Sequence, residues 1–274
     1  MSWSHSMNSS LGRKKLPEKH KDGESNGILS KIDAFNPDAD LRNADVLGMS
    51  SLCSSSNLVN AFHLTVFDLD RTIVTDNCSF DFCRYLIQKN VLPHSSLIFS
   101  LFYYIKHLFF GMSLFDLHHR IFENLLRGRS LETIEENVEP FLQNYLYSQV
   151  YPPVLSELRL AQHLGHYTLI LSNSPSFLVE KIAQVLGVNE WRATQYAVDK
   201  ERKLCHITSI MQGEEKASCV QEIAGKLSIQ KEQITAYSDS FSDLPLLLAA
   251  GTPIVVNPDR KLRRFSEQHK WPIL

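Results

Sequence analysis

The stretch His63-Leu64-Thr65-Val66-Phe67-Asp68-Leu69-Asp70-Arg71-Thr72 decides the fold. Leu64 to Phe67 reads as a buried strand, and two carboxylates, Asp68 and Asp70, stand two residues apart directly behind it. Carboxylates are seldom buried unless they are paired or bind a metal. At this spacing they can share one cavity while their surroundings push their pKa values apart. One can then stay ionised as a nucleophile while the other donates a proton. The competing reading is a strand ending in an acidic, solvated turn, and the pentad Asp68–Thr72 alone leaves both open.

Outward from this strand the pattern repeats. Short apolar runs at His63–Phe67, Tyr167–Leu171, Ile234–Tyr237 and Ile254–Val256 each precede a polar loop and a helical segment. That alternation predicts an α/β fold around a parallel sheet. In such sheets the ligand site lies beyond the carboxyl ends of the strands, which would gather Asp68, Ser172 and Asp239.

Between the first two strands lies a long insertion, residues 80–151, with almost no Gly or Pro. It reads as helices near Phe80–Lys89, Ser96–Phe110, Leu114–Leu126 and Leu131–Tyr147, forming a small cap over the site that excludes water and selects substrate. Within it, the aromatic-rich segment 97–110 contains Lys106 and His107 and is too short for the ~20 residues of a membrane span. It reads as a helix of the cap core or as an interfacial segment touching lipid.

The bulk numbers set bounds. A chain of 274 residues accommodates one large domain, or a core with an inserted cap. Its 43% hydrophobic and 21% charged content is that of a globular protein, and a net charge of −2 argues against nucleic acid as a partner. The five cysteines lack C-x-x-C spacing, so they read as reduced thiols of a cytoplasmic protein. The eleven histidines lack metal-ligand spacing, and His118-His119 reads as a partly exposed helix pair. Residues 1–60, rich in Ser, Asn, Lys and Asp and without an apolar leader core, read as a disordered tail, with Arg13, Lys14 and Lys15 as a minor docking candidate.

Three further clusters follow the later strands. In Ser172-Asn173-Ser174-Pro175, Ser174 suits a helix N-cap and Pro175 the first helical position. Ser172 and the backbone N–H groups beside it then form an anion site. Lys216 precedes Val220, Ile223, Ala224 and Leu227 on the apolar face of a helix. A cation in a first turn opposes the helix dipole, which makes it a candidate counter-charge for carboxylates or phosphate as well as a candidate surface lysine. In Ser238-Asp239-Ser240-Phe241-Ser242-Asp243-Leu244-Pro245, Ser242 is a plausible N-cap, Pro245 falls in the first turn, and Gly251 closes the helix. Asp239 at a strand end is left unexplained by capping. Carboxylates gathered there need a cation, and hard oxygen donors point to Mg²⁺.

With these residues in place, the chain resembles the haloacid dehalogenase superfamily of phosphohydrolases, in its phosphoserine-phosphatase-like branch. The carrying residues are Asp68-Leu69-Asp70-Arg71-Thr72, Ser172, Lys216 and Asp239-Ser240-Phe241-Ser242-Asp243. Leu244-Pro245-Leu246-Leu247, Val256-Asn257-Pro258-Asp259, Leu262-Arg263 and Trp271-Pro272 add to them, so the likeness spans Phe62 to Leu274. It implies a Rossmann-like core at 61–79 and 152–274, with the helical cap at 80–151. It also implies Mg²⁺-dependent phosphoryl transfer through an aspartyl-phosphate. Asp68 would be the nucleophile, and Asp70 would protonate the leaving oxygen and later activate water. Thr72, Ser172, Asn173 and Lys216 would bind phosphate. Asp68, the Asp70 carbonyl and Asp239 would ligate the metal, with Asp243 ligating or orienting it.

Two departures bear on substrate. Phosphoserine phosphatases carry a Glu nine residues after the nucleophile, where this chain has Asn77, and Ser242 stands where they commonly have Asn. The expectation is therefore a phosphatase of a small or lipid phosphate ester. A membrane-associated lipid-phosphate phosphatase using 97–110 is the first alternative. A non-catalytic binding module is the second, and such a module would have no need of the proton donor Asp70.

Overall fold

Leu64–Asp68 forms strand β1, with every residue buried. A strand buried on both faces belongs at the centre of a parallel sheet. β1 pairs in parallel with Tyr167–Pro175 (β2) on one side and Ile234–Ser238 (β5) on the other. The computed structural model describes residues 62–110 and 113–274. The tail and its basic candidates Arg13, Lys14 and Lys15 lie outside them.

The sheet has six strands in the order β4-β3-β2-β1-β5-β6. β3 (Glu190–Val198) and β6 (Thr252–Val255) extend it in parallel, and β4 (Leu204–Ser209) closes one edge antiparallel. β3 and β4 were absent from the four-strand expectation. β3 is mostly half-buried and β4 largely exposed, so neither carries the unbroken apolar run that marks the inner strands.

Between β1 and β2 run α1 (Cys78–Gln88), α2 (Ser95–Phe110), α3 (Leu114–Ile121), α4 (Leu131–Glu135), α5 (Val138–Gln149) and α6 (Pro152–His163). The single helix expected over Leu131–Tyr147 is two, with Pro140 in the first turn of the second. The one expected over Leu114–Leu126 turns into a π-helical stretch at Phe122–Leu126. α6 was not foreseen; Pro152 and Pro153 occupy its first two positions, where their missing N–H groups cost nothing.

After β2 come α7 (Ser176–Leu186), α8 (Glu214–Leu227), α9 (Leu244–Ala249) and α10 (Arg260–His269). Side chains alternate across the sheet. Phe67 and Ile170 face a core shared with the inserted helices and α7, while Leu64, Val66, Leu169 and Leu171 face α8, α9 and α10.

Three capping assignments are corrected. α7 begins at Ser176 with Pro175 as its N-cap residue, so Ser174 caps nothing. Ser240, rather than Ser242, accepts the capping bond of a 3₁₀ turn at Phe241–Asp243, which leads into α9. Gly251 lies just beyond the α9 C-cap, Ala250, and answers a different need. A Cβ there would sit 2.6 Å from both Glu232 Cα and Lys231 O.

Candidate active site

Asp68 ends β1, and its two flanking strands place Ser172 and Asp239 at the same edge. The loop after β1 is closed on itself and fastened to the C-terminal end of the insertion. Val74 N–H donates to Leu69 O at 3.0 Å, Thr75 N–H to Gln149 O at 2.8 Å, and Tyr151 N–H to Ile73 O at 2.8 Å. Arg71 takes a left-handed φ of 60° in this turn, a conformation costly for a residue with a side chain.

Lys216 is the third residue of α8 and only 2% exposed. Its Nζ donates to Asp68 Oδ1 at 2.6 Å and to Asp243 Oδ2 at 2.7 Å. Ser238 Oγ donates to the same Asp243 oxygen at 2.8 Å. Asp243 therefore orients the lysine, which decides between the two readings of Lys216: it is a buried counter-charge. Burial alone would push the ammonium pKa down, but Asp243 and Asp68 together raise it above its ordinary value. The group stays charged.

The carboxylates repel one another. Burial, more than the repulsion of Asp243 and Asp70, pushes Asp68 up to about 7 against the pull of Lys216. Asp239 is pushed up to about 8, by burial first and then by Asp68 and Asp243. Thr72 Oγ1 donates to Asp68 Oδ2 at 3.3 Å.

Asp70 is held apart from this cluster. Cys78 N–H donates to its Oδ1 at 2.6 Å, and Ser174 Oγ and Ser172 Oγ donate to its Oδ2 at 2.6 and 3.3 Å. Asn173, half-buried, offers its carbonyl to Thr194 Oγ1 at 2.7 Å. All the expected residues thus meet at one sheet edge. Sequence reading missed Ser174 and Ser238 as parts of the site. Each stands within two residues of a recognised member, and that proximity was the available signal.

No three His, Cys, Asp or Glu side chains among the described residues form a ready metal cage. Mg²⁺ does not require one, since it keeps several waters and takes one or two carboxylates plus phosphate oxygens. Two buried carboxylates with raised pKa values, Asp68 and Asp239, beside the Asp70 backbone suit that chemistry. Asp243 has Oδ2 taken by both Lys216 and Ser238, which leaves Oδ1 to face the metal or a water on it.

A family model for haloacid dehalogenase-like hydrolase matches residues 65–248. The chain belongs to that family, whose members generally use Mg²⁺. A Mycobacterium tuberculosis protein named as a probable phosphatase is 27% identical over 76% of this chain and 73% of its own length. The phosphoserine phosphatase SerB1 of the same species is 24% identical over 76% of this chain and 68% of its own. A Bordetella pertussis protein of unknown function has the same fold, with a TM-score of 0.70 and 19% identity over 78% of this chain and 98% of its own. Family and relatives make this chain an enzyme of the phosphatase class.

Proposed function

We propose that this enzyme hydrolyses a phosphate monoester by in-line transfer of the phosphoryl group to Asp68. The observation that carries the reading is the division of the two carboxylates. Asp68 faces Lys216 and Thr72, whereas Asp70 is gripped separately by Cys78, Ser172 and Ser174. One group is set up to attack and the other to handle a proton.

Thr72, Ser172, Asn173 and Lys216 would hold the phosphate oxygens beside Asp68. Asp70 protonates the departing oxygen, then removes a proton from the water that cleaves the aspartyl-phosphate. Asp68, the Asp70 carbonyl and Asp239 would hold Mg²⁺, with Asp243 orienting Lys216 beside it. Bound there, the cation would supply positive charge to the phosphoryl oxygens. Residues 61–79 and 152–274 would act as the catalytic core and 80–151 as the cap that screens it from water.

Position 77 offers a substrate no carboxylate. Asn77 Oδ1 accepts from Phe80 N–H at 2.9 Å and so caps α1. A small phosphate ester other than phosphoserine is the reading this supports, in a cytoplasmic setting and without nucleic acid.

A second reading, a lipid-phosphate substrate, rests on α2. Ile98, Phe102 and Ile105 share one helical face and are 73%, 52% and 41% exposed. No helix among the described residues is long and apolar enough to cross a membrane, so contact would be peripheral.

Turnover of p-nitrophenyl phosphate with Mg²⁺ tests the first reading: Asp68→Asn should abolish it, and retained activity would remove Asp68 as nucleophile. Sedimentation with anionic vesicles tests the second, with binding lost in Phe102→Asp. Equal binding by both proteins would leave the lipid reading without support.

A further inference from the structure

Ser174 has no capping duty, yet its hydroxyl is 1% exposed and carries the 2.6 Å bond to Asp70 Oδ2. We propose that Ser174 is a positioning residue for Asp70, clamping that carboxyl between the end of β2 and the first residue of α1. The inference rests on the reading of Asp70 as the proton-handling group.

The clamp has two jaws. Cys78 N–H grips Oδ1 at 2.6 Å from the start of the inserted helices, and Ser174 grips Oδ2 from the core sheet. Rotating the carboxyl about either side-chain torsion breaks both bonds. Ser174 is itself fixed, because its N–H donates to Ser172 Oγ at 3.0 Å and its Oγ bonds Ser79 Oγ at 2.5 Å. The irregularity in β2–β3 pairing between Ser172 and Pro175 turns the chain here, away from the straight strand.

Each carboxyl oxygen has two lone-pair positions; on Oδ2 Ser174 holds one, and the other, held by Ser172 in this structure, is freed for the proton when the Ser172 hydroxyl turns to phosphate. Ser172 Oγ lies 3.3 Å from Oδ2 and is also a candidate phosphate ligand, which marks Oδ2 as the oxygen nearer the phosphate. During transfer the Oδ2–H bond breaks as the bond from hydrogen to the leaving oxygen forms. Ser174 keeps its own hydrogen throughout. Its contribution is alignment, and misplacing a catalytic group by 1 Å costs on the order of 10²-fold.

Leaving-group dependence separates alignment from simple packing. Proton donation matters for a basic alkoxide and little for an acidic phenol. The measurement is kcat/KM with Mg²⁺ for aryl and alkyl phosphates in wild type, Asp70→Asn, Ser174→Ala, Ser174→Cys and Ser174→Thr. We expect the ratio of alkyl to p-nitrophenyl phosphate activity to fall on the order of 10-fold or more in Ser174→Ala and Ser174→Cys. Asp70→Asn should lower it further, and Ser174→Thr, which keeps the hydroxyl, should stay near wild type. Ser174→Cys preserves shape with a weak donor, so it serves if the alanine variant folds poorly. An unchanged ratio in both, with Asp70→Asn lowered, would overturn the role of Ser174 alone. An unchanged ratio in Asp70→Asn would overturn the reading of Asp70 on which it rests.

Discussion

Replacing Lys216 with Met removes the ammonium that two buried carboxylates share. In wild type, Nζ sits 2.6 Å from Asp68 and 2.7 Å from Asp243, with all three side chains almost fully shielded from water. Methionine fills nearly the same volume, so the loss is one of charge rather than packing. Breaking a buried ion pair by deleting one partner costs about 3–5 kcal/mol, because the surviving charge is left without compensation. At roughly 2–4 °C per kcal/mol for a chain of this size, the melting temperature should drop by about 6–20 °C. Asp239 deepens the effect, since burial first and then Asp68 and Asp243 already push its carboxyl up to about 8. Adding Asp243→Asn to Lys216→Met removes one stranded charge, so the double variant should recover about 1–3 kcal/mol relative to the sum of the singles. Urea unfolding in metal-free buffer measures this, with an unchanged slope showing that the denatured state is unaltered. A loss within 0.5 kcal/mol for Lys216→Met, or strict additivity in the double variant, would refute the counter-charge account.

Three other outcomes are expected. Gly251→Ala would place a methyl group 2.6 Å from Glu232 Cα and from the Lys231 carbonyl, so the 231–232 turn must shift, at a cost of about 1–3 kcal/mol in chemical denaturation. Tyr145 buries a phenolic oxygen with no hydrogen-bond partner among the described residues, and Tyr145→Phe should raise stability by about 1 kcal/mol; a fall would show that the hydroxyl is satisfied in solution. Chelation of divalent cations should abolish phosphatase turnover, and Mg²⁺ should raise the melting temperature of wild type more than that of Asp239→Asn, a difference that vanishes if Asp239 does not hold the ion.

How much was legible in the sequence differs between elements. The inner strands were, because β1, β2 and β5 carry the apolar runs that burial on both faces requires. β3 and β4 were not: with Trp191, Arg192 and Tyr196 half-buried at the sheet margin, their sequences carry no clear strand pattern. Asp68, Asp70, Ser172, Lys216 and Asp239 could be read because each breaks a packing expectation at a strand end or on an apolar helix face. Ser174 and Ser238 broke none. A serine before a Pro-headed helix looks like a cap, and only the turn after Ser172 directs that hydroxyl to Asp70.

Sequence alone therefore determined the class of fold and which carboxylates gather at one sheet edge, since hydrophobic period and misplaced charge are local properties, and its motifs carried the resemblance to the family. Tertiary structure decided which groups share a hydrogen bond. It paired Lys216 with Asp243 as well as Asp68, took Asn77 into a helix cap, and gave Asp70 two jaws from segments almost a hundred positions apart. Those choices depend on angles and separations of a few tenths of an ångström, set by how the sheet and the inserted helices meet, and no single segment encodes them.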